Sequence, residues 1–280
     1  MMKVNPRTAR WLTAVPLAAL LLSASYQIGC AANARVSSVP PEPVAADAAR
    51  TVLVELFTSE GCSTCPPADK LLMDLDQSQP IKGVRVIALS EHVDYWNHLG
   101  WKDPYSSAEF TQRQSDYARA LGIEDIYTPQ MVVDGQVAFV GSNQAKAREA
   151  ITGAAAAPRA DVGVSIKAST RKNVTLSVRV DNLPQVSTGN AADVFVAITE
   201  SGLANSVSKG ENAGRTLAHS AVTRKLTKLG RIEGATFTAE QPIDLDARWN
   251  RSQMKAVAFV QDRVSRRVLG SAATSFAEVQ

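Results

Sequence analysis

Apolar residues run almost without interruption from Thr51 to Phe57 (TVLVELF) and again from Val84 to Leu89, the pattern of strands covered on both faces. Between them Ala68, Leu71, Leu72 and Leu75 fall at helical spacing and predict a helix over about Ser63 to Gln77. Pro66 and Pro67 fit only its first turn, where amide hydrogens have no intrahelical partner. Ser106 and Glu109 read as a capping box for a second helix, which carries Phe110, Tyr117, Ala118 and Leu121 and stops at Gly122. Met131 to Val133 and Val137 to Val140 flank Asp134-Gly135, a hairpin signal, and a helix from about Asn143 to Ala155 follows. These elements predict an α/β region over residues 51–157.

Beyond Arg159 the period changes to alternation. Val162 to Ile166, Val174 to Val180, Val194 to Ile198, Phe237 to Ala239 and Ala256 to Val260 read as strands between polar turns such as Asp181-Asn182. They predict a small all-β, immunoglobulin-like sandwich over residues 159–280. Two stretches escape both periods. SEHVDYWNHLGWKDPYSS, with His92, Asp94, Trp96, His98 and Trp101, is a polar and aromatic excursion of the kind that lines sites. GENAGRTLAHSAVTRKLTKLG, with Glu211, Arg215 and His219, reads as a long loop or edge strand of solvated charge. The alternative is that Arg215 and His219 face the first region or a partner.

The N-terminus bears on the redox compartment. Lys3, Arg7 and Arg10 precede an apolar stretch from Trp11 to about Leu22, and small residues lead to Cys30 and Ala32-Asn33-Ala34. This is the layout of a secretory signal over residues 1–34. Pro16, Ser23, Ser25 and Gln27 make it a poor membrane span, which wants about 20 apolar residues. Two processing routes are open: cleavage after Ala34, or lipidation of Cys30. The second resembles a lipobox, with Gln27 where that pattern has leucine. Export to a periplasm or cell envelope follows either way, with Cys30 a candidate lipid anchor. Residues 35–50, rich in proline and alanine, read as a tether. The net charge of +3, without a basic stripe, argues against a nucleic-acid partner.

Of three cysteines, Cys62 and Cys65 are the two expected beyond the leader and tether, at the point where the first strand gives way to the first helix. A cysteine at a helix N-terminus has its thiol pKa brought from about 8.5 into a range of roughly 3.5–7.5 by unpaired amides and the helix dipole. Cys62 is thus the expected attacking sulfur, and Cys65, one turn further in, the resolving one. Glu60 nearby opposes thiolate formation, and Ser63 and Thr64 supply no cation. In an oxidising compartment the pair is expected as a disulfide. Three other readings stand beside a redox-active dithiol: a purely structural bridge, half of a zinc site lacking its second cysteine pair, and a Cu(I) site of Cys62, Cys65 and His92. Asp94 is a candidate acid near the sulfurs.

The strings LFTSEGCSTCPPAD, SEHVDYWNHLGWKDP, YTPQMVVDG and GENAGRTLAH resemble a bacterial family of secreted thioredoxin-like proteins catalogued only as a domain of unknown function. The order of strand, C-x-x-C, helix, strand, inserted helix, Thr-Pro, hairpin and helix resembles the thioredoxin superfamily. The resemblance implies an α/β thioredoxin-like fold with an inserted helical segment. It maps Cys62 to the nucleophile, Cys65 to the resolving cysteine and Pro129 to a cis-proline. Thr128 would then offer its backbone to an extended substrate. The chain departs from thioredoxin where a buried carboxylate stands behind the cysteines: the matching position is Leu56, and Glu55 should point to the opposite face. The implied function is an exported thiol-disulfide oxidoreductase that needs no dissociable cofactor. Its partners would be cysteine-containing envelope proteins or a membrane redox partner.

Overall fold

The uninterrupted apolar run becomes β1 (Arg50–Thr58), whose seven residues from Val52 onward are buried. The computed structural model describes residues 50–186 and 191–278. The expected leader over 1–34, Cys30, and the tether as far as Ala49 lie outside the described residues. A turn leads from β1 to α1 (Pro66–Ser78), and the chain returns through β2 (Val84–His92), parallel to β1 with Arg50 opposite Val84. α2 (Ala108–Leu121) follows, then β3 (Gln130–Val133), β4 (Val137–Val140) and α3 (Gln144–Ala155). β3 runs antiparallel to β1, with Gln130 opposite Phe57, and pairs with β4 on its other side.

Helix ends show small shifts from the sequence-based boundaries. α1 begins at Pro66 with Cys65 as its N-cap residue, so Cys62 lies in the preceding turn and not in the helix itself. Ser107, not Ser106, caps α2: its hydroxyl accepts from the Glu109 amide, while Ser106 bonds to Asp103 and Asn97. Gly122 ends α2 at φ 67°, a left-handed conformation that glycine adopts without a Cβ penalty. Asn143 caps α3 by accepting from the Lys146 amide at 3.0 Å.

The second half supplies β5 (Asp161–Ser169), β6 (Asn173–Asp181), β7 (Ala192–Glu200), β8 (Leu203–Ser206) and β9 (Thr216–His219). It continues with β10 (Val222–Ile232), β11 (Phe237–Asp244), β12 (Met254–Asp262) and β13 (Val268–Ser275). Among the described residues an eight-stranded sheet runs β13-β12-β7-β10-β2-β1-β3-β4, beside a three-stranded sheet β11-β6-β5 and the hairpin β8-β9. The smaller sheet packs its Val174, Leu176, Val178 and Val180 onto Val194, Val196, Ala256 and Ala258 of the large one. The halves expected at 51–157 and 159–280 therefore share one sheet, joined where Val222 pairs with Ser90 and the Ser90 amide donates to Ala221 O at 2.8 Å. The described residues cluster as one unit. The GENAGRTLAHSAVTRKLTKLG stretch divides: its first part is a loop and β9, an edge in the two-stranded hairpin, with His219 bonded to Glu60 of the first half as the alternative reading expects, and its second part is β10, in the interior of the large sheet between β7 and β2.

Alternation along β1 separates two environments. Leu56 joins the apolar cluster beneath α1 with Leu72, Ala88 and Met131. Glu55, on the other face, is fully buried against α2. There Arg113 Nε donates to Glu55 Oε2 at 2.6 Å and lies 3.4 Å from Glu91 Oε1, and the Tyr117 hydroxyl donates to Glu55 Oε1. Burial and then the neighbouring Glu55 push the Glu91 carboxyl well above its usual range.

A buried disulfide at a strand-to-helix turn

Cys62 and Cys65 are joined by a disulfide, and neither residue has exposed surface. The turn is tight: the Cys65 amide donates to Cys62 O at 3.2 Å, and the Ala68 and Asp69 amides donate to Cys65 O at 2.8 and 3.1 Å. The Thr128–Pro129 peptide bond is cis. Pro129 lies close to the helix that carries the disulfide. A Cβ added at Gly141 would stand 2.7 Å from Leu56 Cδ1, 3.1 Å from Ala68 Cβ and 3.3 Å from Pro129 Cβ, so these side chains converge one turn beyond Cys65.

Two segments outside the strand–helix–strand frame close over the turn. The first is the aromatic excursion after β2. Trp96 Nε1 donates to Thr128 Oγ1 at 2.8 Å, and a Cβ on Gly61 would meet Trp96 Cβ at 2.9 Å, so the indole bridges the motif to the cis bond. Trp101 Nε1 donates to Glu60 Oε2 at 2.8 Å, and Asp103 Oδ2 accepts from the Glu60 amide at 2.8 Å. Asp94 and His98 are not brought to the sulfurs: Asp94 accepts from Thr111 on α2, and His98 Nδ1 bonds to Tyr95 O.

The second cover is the tip of the β8-β9 hairpin. Asn212, fully buried, donates from Nδ2 to Glu60 O and to Cys62 O, both at 2.9 Å. Glu211 Oε2 accepts from the Ser63 amide at 3.0 Å and from the Ser63 hydroxyl at 2.6 Å. Those two bonds hold its carboxyl below the usual range. Arg215 Nη1 donates to Asn212 Oδ1 at 2.7 Å and so fixes which way the amide points.

A titratable cluster lies among these segments. His92, at the end of β2, donates from Nδ1 to Asp103 Oδ2 at 2.7 Å, and His219 donates from Nε2 to Glu60 Oε1 at 3.0 Å. The two imidazoles meet edge to face at 4.8 Å, with Tyr105 against both. His92 Nε2 and His219 Nδ1 are buried without a hydrogen-bond partner. Burial is the largest single influence on His92 and opposes its charge, but the adjoining Asp103 carboxylate together with Asp69 and Glu60 outweighs it and raises the pKa; burial likewise works against charge on Asp103, whose pKa the His92 contact lowers. Asp69, four residues beyond Cys65 and so on the same face of α1, accepts from Thr58 Oγ1 at 2.8 Å. Burial raises its pKa, against the opposing pull of His219 and His92.

Of the residues expected at the site, Cys62 and Cys65 form the bridge, and His92 lies in the cluster beside the motif. Pro129 packs beside α1, and Thr128 accepts from Trp96. With each sulfur bonded to the other, no group of three or more His, Cys, Asp or Glu among the described residues is set to hold a metal ion. The sequence pattern points neither to Asp69, Asp103 or Asn212 nor to Glu211 as the partner of Ser63. Asp69 alone carried a local signal, the spacing of four from Cys65. A cavity of about 340 Å³ lies elsewhere, between α3 and the 157–159 linker, and is lined by Val137, Ala154, Pro158 and Arg159 among others.

The fold and site define a mixed α/β protein built on one large sheet, with a covered disulfide at a strand-to-helix turn. Residues 53–261 match the family described as a protein of unknown function, DUF1223, and the chain belongs to that family. A comparison with curated proteins finds no match. The structure is similar to the crystal structure of an Agrobacterium tumefaciens protein, at 27% identity and TM-score 0.62, over 82% of this chain and 96% of that one. It shares its fold with HBP35 of Porphyromonas gingivalis, at 15% identity and TM-score 0.58, over 81% of this chain and 75% of that one.

Proposed function

We propose that this protein is an exported thiol-disulfide oxidoreductase whose centre is Cys62-Ser63-Thr64-Cys65, with residues 51–157 a thioredoxin-like unit and 159–280 an immunoglobulin-like one. The observation that carries the reading is the titratable cluster beside the disulfide. A bridge that only staples a helix to its strand has no use for Asp69, His92 and His219 buried together with two ring nitrogens unpartnered. Disulfide exchange does, because each cycle moves protons on and off sulfur. Perturbed, buried titratable groups collect at sites of chemistry.

In this reading a partner thiolate attacks Cys62 Sγ, the Cys62–Cys65 bond breaks, and the electron pair leaves on Cys65, which takes a proton from Asp69. A second partner thiolate then attacks the mixed disulfide and releases Cys62. The partner dithiol is oxidised by two electrons and the protein disulfide is reduced. In the reverse direction Cys62 attacks a partner disulfide and Cys65 resolves the mixed disulfide. The partners are cysteine-containing envelope proteins or a membrane redox protein, since a disulfide persists in an oxidising compartment.

Full burial of both sulfurs favours a second reading, a structural bridge. Equilibration in graded thiol–disulfide buffers separates the two. A potential between roughly −120 and −270 mV, the span of exchange catalysts, supports the oxidoreductase, and one below about −300 mV supports the bridge. With an active couple, Cys65→Ser accumulates mixed disulfides with partner proteins and Cys62→Ser does not. Equal behaviour of the two variants would refute Cys62 as nucleophile.

A further inference from the structure

The cover over Cys62 is built like a bound ligand. Its tip lies between Gly210 and Gly214, both at positive φ (77° and 80°), which lets the backbone reverse tightly. The neck is closed by backbone bonds from Val207 N to Arg215 O at 2.9 Å and from Gly214 N to Val207 O at 2.8 Å. Gly210 lies against the other cover, where an added Cβ would stand 3.5 Å from Trp101 Cβ. From this tip two groups reach the motif. The Asn212 amide satisfies backbone carbonyls on either side of Gly61, and the Glu211 carboxylate takes both donors of Ser63, the residue following Cys62.

A backbone N–H and a hydroxyl converging on one carboxylate oxygen form an anion cradle of the charge-assisted kind. Here the chain fills that cradle with its own side chain. We propose that the Ser63 cradle is the recognition site for a carboxylate borne next to the thiol of the exchange partner, and that Glu211 occupies it as an internal stand-in. The partner class is therefore an acidic thiol: a peptide with Asp or Glu beside its cysteine, or a small mercapto acid. Such a partner displaces Glu211 at little cost, because it replaces the lost bonds to Ser63 with its own. A neutral thiol leaves both donors, which are exposed, to water and gains no charge-assisted bond in exchange. The proposal rests on the oxidoreductase reading above.

The test compares two thiols of similar size, 3-mercaptopropionate and 2-mercaptoethanol, as reductants of the full mature chain. Each thiolate attacks Cys62 Sγ and displaces Cys65; a second molecule releases Cys62 and leaves as the probe disulfide. The ratio of the two rates in a variant, divided by the same ratio in the wild type, cancels the intrinsic reactivity of the probes. Glu211→Ala empties the cradle and raises this quotient about tenfold, the scale of one charge-assisted hydrogen bond. Adding Ser63→Ala to Glu211→Ala removes the hydroxyl donor and returns the quotient most of the way to one. Equal acceleration of both probes by Glu211→Ala overturns the proposal, since the tip would then be a steric cover only. An unchanged quotient overturns it as well. Both leave the oxidoreductase reading standing if the couple's potential lies in the catalytic range. A potential below about −300 mV in wild type and variants alike fails the reading itself and the proposal with it.

Discussion

Asn212→Ala tests whether the hairpin tip controls access to the disulfide. Both cysteines are fully covered, and if the tip is the cover that yields, a reductant reaches Cys62 only after it moves. Asn212 holds the closed state through two buried hydrogen bonds of 2.9 Å, to Glu60 O and Cys62 O. Cys62 O keeps a second donor, the Cys65 amide, so the loss falls mainly on Glu60 O. Removing the donor from a buried acceptor costs about 1–3 kcal/mol. At about 2 kcal/mol the open population rises roughly 30-fold. The assay is the rate of disulfide reduction by excess dithiothreitol in native buffer, followed by alkylation mass shift. Urea unfolding runs in parallel, where the midpoint falls at unchanged slope. Reduction should quicken by roughly 10- to 100-fold if opening limits it. A lowered urea midpoint with an unchanged reduction rate would refute the reasoning, because the disulfide would then be reached by a route that does not involve the tip.

Gly141→Ala places a methyl 2.7 Å from Leu56 Cδ1 and 3.3 Å from Pro129 Cβ, in a packed core, and should cost about 1–3 kcal/mol of stability by urea unfolding. Arg113→Met leaves Glu55 and Glu91 without their guanidinium and should destabilise by about 3–5 kcal/mol. Glu91→Gln, at a carboxyl that burial and Glu55 already push well up, should change the urea midpoint far less than Arg113→Met. Burial raises the Asp134 pKa from 3.8 to about 6, against the pull of Arg159. A raised folded pKa gives stability that is complete below the unfolded value and is lost as pH rises through about 6, a change of at most about 3 kcal/mol. Asp134→Asn should flatten the stability profile between pH 4 and 7 relative to the wild type, and parallel profiles would rule the linkage out.

Local features were legible because their causes are local. The apolar run of β1 followed by the proline-limited start of α1 places Cys62 and Cys65 at the turn. Gly122 ends α2, Asn143 starts α3, and Asp134-Gly135 turns the hairpin, each through bonds made within a few residues. Even there the terminal turn slipped: several polar side chains near Ser106 compete to cap α2, and the sequence does not rank them.

By itself, then, the sequence determined the strand, the turn and the helix that carry the disulfide, because hydrophobic period and chain stiffness act over one or two turns. Only the tertiary structure decided what surrounds it. Glu60 meets His219 across a separation of 159 residues, Ser63 meets Glu211 across 148, and β10 lies in the sheet interior beside β2 although its charged residues read as solvated. Strand order is set by which apolar faces match across the folded molecule, and side-chain bonds over such distances depend on that order. A pattern read along the chain records which faces are apolar but not which partner covers them.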